Sequence, residues 1–211
     1  MDEIVKQSLR KWPNVPHCFG WLGLDDRGNW FLRDDATQAK GSFLESKGDR
    51  LEHTALREFI ERNYTHDPLG QWYFQNGPQR VYVELAQTPW IWRLHPAPTP
   101  LQAPATPVEK SSFRQETQED RRGLLTIKSH TGVATEFLHA LEDEVGRLYL
   151  LTTLGFGLVH TQDMWQAAMC LEGVWPAPEK IKRIDLAARF KFVTSPLAHQ
   201  GEPSTPKPMA N

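Results

Sequence analysis

Three copies of one short turn pattern constrain the fold of this chain more than any other feature of its sequence. In each copy an Asp stands three residues before a Gly, and the copies begin at Asp25, Asp67 and Asp143. An Asp at the first position of a type I turn accepts hydrogen bonds from backbone amides, and the Gly adopts the left-handed conformation that follows. Because an alternating apolar run leaves each turn, each copy predicts a β-hairpin.

The charge balance and the cysteines exclude several classes of protein. The 211 residues carry a net charge of −2, so no basic surface for nucleic acid or anionic lipid is expected. Cys18 and Cys170 fit neither a metal spacing nor a disulfide framework. No apolar run reaches the ~20 residues needed to span a bilayer. We therefore expect a cytoplasmic protein with free thiols and with no nucleic-acid or membrane partner.

Apolar periodicity predicts where helices and strands lie. Helices are predicted over 2–11, over 50–64 with Asp49 as its N-cap, and over 162–172. The last of these should turn four side chains inward, namely Met164, Trp165, Ala168 and Met169. Strands near 71–75, 80–85 and 90–94 should form a meander. Because hairpins and helices alternate along the chain, the predicted fold class is α+β.

A proline-rich stretch divides the chain. Five prolines lie between Pro96 and Pro107, a composition that forms an extended linker rather than a helix or a central strand. We predict two small antiparallel hairpin or meander units, each packed with one or two helices. The predicted domains are a unit over 1–95, a linker over 96–122, a unit over 123–195 and a disordered tail over 196–211. The second unit is small for independent folding, so it packs on the first unit or on another copy in a homo-oligomer.

Four aromatic residues of the predicted meander are candidates for binding a partner. Side chains alternate along a strand, so a sheet with aromatics on both faces is either covered on both or exposes a binding platform. One interpretation is core packing, and the other is contact with an unidentified protein or small molecule. The candidates are Trp72, Tyr82, Trp90 and Trp92.

A second candidate site lies where a strand gives way to a helix, at His160 and Asp163. Such junctions hold catalytic residues or anions in many proteins, but a helix start looks the same without any such role. The preceding Gly155-Phe156-Gly157 lacks the third glycine of a dinucleotide loop. The histidines carry no metal-ligand spacing. We therefore expect no cofactor and no metal.

Two stretches of the sequence resemble a known family. They are residues 11–16 followed by 20–25, which begin Lys-Trp-Pro-Asn-Val-Pro and Gly-Trp-Leu-Gly, and residues 72–83, which contain Trp-Tyr-Phe-Gln-Asn-Gly-Pro-Gln. They are similar to a family of bacterial, largely proteobacterial, proteins of about 200 residues known only as a domain of unknown function. The resemblance implies a bacterial cytosolic setting and carries no activity, no site residues and no cofactor.

The sequence favours a binding protein over an enzyme. No nucleophile elbow, phosphate loop or paired cysteine motif is present, whereas aromatic residues are plentiful. We expect a non-enzymatic module that binds a protein or a small ligand. The alternative is an enzyme with dispersed active-site residues, such as a hydrolase that uses His160 and Asp163.

The linker prediction can be tested by limited proteolysis. We expect the first cleavage to fall within 96–122, because proteases cut extended segments before packed ones. Mass spectrometry of the early fragments locates the cut. Early cleavage elsewhere, with 96–122 still joined, would contradict the predicted linker.

Overall fold

The computed structural model describes residues 2–12, 14–96 and 125–200. These residues form two compact units. Of the described residues, the first draws on 2–12, 14–25, 29–89 and 187–200, and the second on 26–28, 90–96 and 125–186. The predicted linker lies outside the described residues except for Pro96, and so does the predicted tail beyond residue 200.

The first unit is built on a sheet that has six strands within the described residues. Its order is β3-β2-β1-β6-β5-β4. The first and sixth strands pair in parallel, and every other neighbouring pair is antiparallel. The strands are β1 Cys18–Leu24, β2 Trp30–Leu32, β3 Asp49–Arg50, β4 Tyr64–His66, β5 Trp72–Asn76 and β6 Gln79–Leu85.

The second unit is built on a sheet with seven strands within the described residues. Its order is β13-β10-β11-β12-β7-β8-β9, and β12 pairs with β7 in parallel. The strands are β7 Trp90–Pro96, β8 Leu125–Ser129, β9 Ala134–Thr135, β10 Phe137–Glu142, β11 Leu148–Thr152, β12 Gly155–Val159 and β13 Glu179–Lys180.

The two sheets share one connectivity. In each, a run of three antiparallel strands is followed by a second such run, and the last strand of the second pairs in parallel with the first strand of the first. Thus β1–β6 and β7–β12 follow the same path, and β13 is an addition at the edge. The chain therefore contains the same six-stranded arrangement twice.

Short helices accompany the sheets. They are α1 Glu3–Lys11, α2 Asp35–Gln38, α3 Thr54–Arg62, α4 Met164–Gly173 and α5 Leu186–Phe190, with single 3-10 turns at Thr161–Asp163 and Arg183–Asp185. Within the described part of the chain, no helix is long and apolar enough to cross a membrane. The predicted mixed α+β class is confirmed.

All three Asp-x-x-Gly turns form as predicted. The Asp Oδ1 atom accepts a hydrogen bond from the backbone amide four residues later, at 2.8 Å in the first turn, 3.0 Å in the second and 2.8 Å in the third. The glycines have φ values of 78°, 78° and 79°, in the left-handed region that favours glycine. They are Gly28, Gly70 and Gly146.

Three sequence predictions are corrected by the structure. The units are not small hairpins or meanders, because their sheets have six and seven strands. Residues 90–94 do not complete a meander in the first sheet, since β7 pairs with β8 and β12 in the second. The helix predicted over 50–64 begins only at Thr54, where His53 accepts a hydrogen bond from the Leu56 amide. Asp49 lies in β3 instead.

Residues 192–200 run along the first unit, and we call them the strap. The Val193 amide donates to the carbonyl of Gly70 at 3.0 Å, and the Leu85 amide donates to the carbonyl of Thr194 at 2.7 Å. The residues of the predicted tail that the structure describes, 196–200, form turns at the end of the strap. Backbone hydrogen bonds therefore hold the strap at the ends of β5 and β6.

Substitution of Gly70 tests the contact between this turn and the chain that leads into the strap. A Cβ atom at Gly70 would lie 2.1 Å from the carbonyl oxygen of Lys191, whereas a Cβ at Gly77 would meet nothing closer than 3.9 Å. Both glycines have positive φ. We expect Gly77→Ala to lower the free energy of unfolding by about 1 kcal/mol and Gly70→Ala by roughly 3 kcal/mol or more. Urea denaturation measures both, and equal losses would contradict the close approach.

Candidate functional site

Trp72 lies in the first unit and packs among aromatic rings. Its ring centroid is 4.7 Å from that of Tyr64 and 4.9 Å from that of His66. Tyr64 in turn donates a hydrogen bond to the carbonyl of Pro89 at 3.1 Å. Trp72 is 8% exposed. Its indole is part of the core of this unit.

Tyr82 lies on the other face of the same sheet. Its ring stacks on Phe19 at 4.4 Å and lies 5.6 Å from Tyr73, its cross-strand neighbour. The hydroxyl donates to Oδ2 of Asp67 at 3.2 Å. Burial raises the pKa of Tyr82. The Asp67 carboxylate therefore serves two structural purposes, because it closes its own turn and also holds this phenol.

Trp90 and Trp92 lie in the second unit, on β7. Their rings are nearly parallel, with centroids 6.0 Å apart, and the Trp92 indole donates to the carbonyl of Leu150 at 3.0 Å. A Cβ atom at Gly157 would lie 2.4 Å from the Trp90 carbonyl oxygen and 2.7 Å from the Trp92 indole nitrogen. Trp90 and Trp92 therefore pack directly against the backbone of β12 at Gly155 and Gly157, where a side chain would leave no room.

His160 and Asp163 fix the start of α4 to β7. The His160 amide donates to the carbonyl of Trp92, and its Nδ1 accepts from the Gln162 amide at 3.1 Å. Asp163 Oδ2 accepts from the Arg93 guanidinium at 2.6 Å and from the Leu94 amide at 3.1 Å. Both side chains are buried. Each makes the bonds that a helix start anchored on a strand requires.

The structure divides the six predicted site residues between the two units. Trp72 and Tyr82 belong to the first, and the other four lie together around β7 and the start of α4 in the second. Each of the six is at most 8% exposed. Their role in binding stays a prediction, and a partner that approaches the described surface meets other side chains first.

One exposed apolar face was predicted to point inward. Trp165 is 74% exposed and Met169 is 54% exposed, while Ala167 and Cys170 are the buried side chains of α4. The anchoring of Asp163 explains the difference. Residues three and four positions apart share a helix face, so Ala167 and Cys170 follow Asp163 toward the sheet and Trp165 points away.

The sequence did not reveal a cluster of buried charges in the first unit. The Arg33 guanidinium donates to the carbonyls of Gly20, Gly41 and Ser46 at 3.3, 2.6 and 3.0 Å. Arg33 is 1% exposed and Glu84 is 3% exposed. The sequence signal that could have pointed to this cluster is Glu84 itself. It is a single charged residue between Val83 and Leu85 in an otherwise apolar part of β6, and its side chain lies on the face opposite theirs.

Glu84 makes its hydrogen bonds to the strap. Its carboxylate accepts from the Ser195 hydroxyl at 2.5 Å and from the Leu197 amide at 3.0 Å. Burial raises the pKa of Glu84, although these two hydrogen bonds and the charges of Arg33 and His199 act to lower it. The Glu84 carboxylate therefore holds the strap through two hydrogen bonds, one to a side chain and one to the backbone.

No candidate metal centre is found in the described parts of the chain. Residues 2–12, 14–96 and 125–200 contain no group of three or more His, Cys, Asp or Glu side chains that could hold an ion. Cys170 is buried, and burial raises the pKa of its thiol. The thiol is therefore shielded from redox chemistry at neutral pH.

A family model matches residues 1–199. The chain belongs to the family described as Protein of unknown function (DUF2946). This membership confirms the resemblance of the sequence to a domain-of-unknown-function family. No curated protein matches the sequence of this DUF2946 member.

One solved structure is similar, a crystal structure of a DUF1285 family protein from Silicibacter pomeroyi DSS-3. It is 12% identical, with a TM-score of 0.44, and the match covers 79% of this chain and 83% of that chain. A similarity of this size carries no inference about the activity of the DUF2946 protein.

The buried carboxyl of Glu84 predicts a pH-dependent stability. Because its pKa is raised above 4.5, the folded state binds this proton more tightly than the unfolded state. The contribution of Glu84 is therefore most favourable below about pH 4.5 and is lost as the pH rises through the raised value. We expect wild type to lose stability relative to Glu84→Gln between about pH 4 and pH 8.

Urea denaturation across this pH range measures the difference between the two proteins. Glu52→Gln is the control, since Glu52 is exposed and pairs with Arg50 on the surface. A difference between wild type and Glu84→Gln that stays constant with pH would contradict the burial of a charged carboxyl here.

Proposed function

We propose that this protein is a non-enzymatic binding module of the bacterial cytoplasm and that it binds a partner protein through the exposed face of α4. The face consists of Trp165, Ala168 and Met169. A Trp that is 74% exposed in the first turn of α4 is the observation that carries the proposal.

The energetics of an exposed indole favour this function. A Trp side chain gains from burial at roughly 25 cal/mol per Å² of apolar area removed from water. Trp is among the residues that most often dominate the binding energy of protein interfaces, and Met is also enriched there. Trp165 and Met169 lie one helical turn apart, so a single partner surface can cover both.

The chemistry of the face indicates what kind of partner fits. From Met164 to Leu171 the helix carries no charged residue. A partner that recognises its targets by charge would find nothing to pair with there. The partner that fits is a different protein with an apolar groove that accepts an indole and a thioether from one helix.

The hydrogen bonds at His160 and Asp163 support the absence of catalysis. Asp163 is bonded to Arg93 and to the Leu94 amide, and His160 bonds the Gln162 amide. A general base needs a carboxylate or an imidazole directed at substrate. Here both side chains bond to groups of their own fold, and these bonds favour a structural role over the alternative of a hydrolase.

Substitution of Trp165 separates binding from stability. We expect Trp165→Ala to change the free energy of unfolding by less than about 0.5 kcal/mol, because the side chain is exposed. A partner identified by photo-crosslinking from position 169 should bind this variant roughly 30-fold more weakly, as measured by calorimetry. The matched control is Trp12→Ala. It removes another exposed Trp, the residue that follows α1, and should leave the affinity for the partner unchanged.

Two results would overturn this function. A large loss of stability in Trp165→Ala would show that the indole packs within the fold. Light scattering is the second measurement, and a dimer that dissociates in Trp165→Ala would assign the face to a second copy of the chain rather than to a different protein.

A further inference from the structure

We propose that the first unit contains a peptide-binding slot, that the strap fills it within the same chain, and that a partner's extended peptide of similar chemistry can replace the strap. The slot lies at the ends of β5 and β6, and it is distinct from the helix face of the second unit. Its floor and walls come from Gly20, Gly70, Gln71, Glu84 and Leu85.

The backbone of the slot recognises an extended chain. Leu85 offers an amide that the Thr194 carbonyl accepts, and Gly70 offers a carbonyl that accepts from the Val193 amide. Val193 also forms a parallel bridge with Gln71. The strap therefore meets the end of the sheet through one isolated parallel bridge and two backbone hydrogen bonds, which any extended peptide in its place can also form.

Glu84 supplies the side-chain recognition. Its two oxygens accept from the Ser195 hydroxyl and from the Leu197 amide, and the Ser195 oxygen also accepts from the Ala198 amide at 3.3 Å. This arrangement requires a hydroxyl side chain and, two positions later, a residue that has an N–H. The slot thus selects a Ser or Thr and rejects a proline two positions beyond it.

The glycines make the slot deep enough for a backbone. A Cβ atom at Gly70 would collide with the Lys191 carbonyl, and one at Gly20 would collide with the Gln38 side chain and lie 3.1 Å from the Leu197 side chain. Gly20 also has a φ of 78°. Gly70 therefore lets the backbone at the start of the strap pass close to the sheet, and Gly20 leaves space beside the Leu197 side chain.

Little of the strap's apolar surface is buried. Among residues 192–200, only Phe192 and Pro196 are buried, and the last four are exposed. Segments with little buried apolar surface open at a lower free energy than the strands beside them. The strap can therefore leave the slot while the sheet stays folded.

Burying the Glu84 carboxylate costs desolvation free energy that a strap fixed to the sheet would not need. Apolar side chains of similar size often replace buried charges with no loss of stability. A charge that accepts two hydrogen bonds from one segment instead provides specificity for that segment. The partner that fits is an extended peptide with an aromatic residue, then Val-Thr-Ser-Pro-Leu or a close equivalent.

The test uses the full-length chain and a fluorescent synthetic peptide of residues 191–200. The strap is weakened by the double substitution Phe192→Ala and Ser195→Ala, which removes the aromatic anchor and one bond to Glu84. We expect this variant to bind the peptide at least about tenfold more tightly than wild type, because the competing strap is intramolecular in wild type. Fluorescence polarisation measures the affinities.

Two matched controls identify the slot. Addition of Glu84→Gln to the weakened variant should reduce peptide affinity at least about fivefold, and a peptide carrying Ser195→Ala should show a similar loss. Equal binding by wild type and the weakened variant, with both folded by circular dichroism, would overturn the proposal. A dimer formed by exchange of straps would also overturn it, because the occupant would then be a second copy.

Hydrogen exchange on the wild-type protein gives an independent test that needs no variant. We expect the amides of Leu85, Val193 and Leu197 to exchange through a local opening that denaturant does not promote, at least about tenfold faster than amides inside β6. If these amides exchanged only with global unfolding, the strap would be a fixed part of the unit and the slot would not exist.

Discussion

Each unit depends on one parallel pair of strands that joins its two antiparallel halves. In the first unit β1 pairs with β6, and Leu22 faces Val83 in that register. In the second, β7 pairs with β12, and Trp90 faces Gly157. Without that pair the first sheet would be two separate three-stranded pieces, and the second would be a four-stranded and a three-stranded piece. Because the paired strands lie about sixty residues apart in sequence, this contact carries a larger entropic cost of closure than any other strand pair of its sheet.

Local features of the fold could be predicted and the parallel pairs could not. The turns at Asp25, Asp67 and Asp143 depend on hydrogen bonds within five residues, so sequence alone identifies them. The assignment of β7 depends on a partner strand far along the chain. Nothing in Trp90–Leu94 distinguishes a third meander strand from the central strand of another sheet, because both are apolar runs.

The candidate sites show the same division between local and distant causes. The inward face of α4 was predicted wrongly because apolar periodicity ranks Trp165 and Met169 above small residues. The bond between Asp163 and Arg93 decides the orientation instead, and Arg93 lies seventy residues earlier. Likewise, the alternation of β6 alone predicts that Glu84 points to solvent. Its burial follows from the bonds with Ser195 and Leu197, which lie more than a hundred residues later in the sequence.

The repeated connectivity has a consequence for how such a chain tolerates additions. The hairpin β1–β2 is closed by residues 25–29, whereas the corresponding strands β7 and β8 are joined by residues 97–124. The ladder from Trp92 to Pro96 is nevertheless complete against β8. Lengthening a closed loop costs only about 0.6 kcal/mol for each doubling. This connectivity therefore accommodates very different lengths of chain between its first two strands while their pairing stays the same.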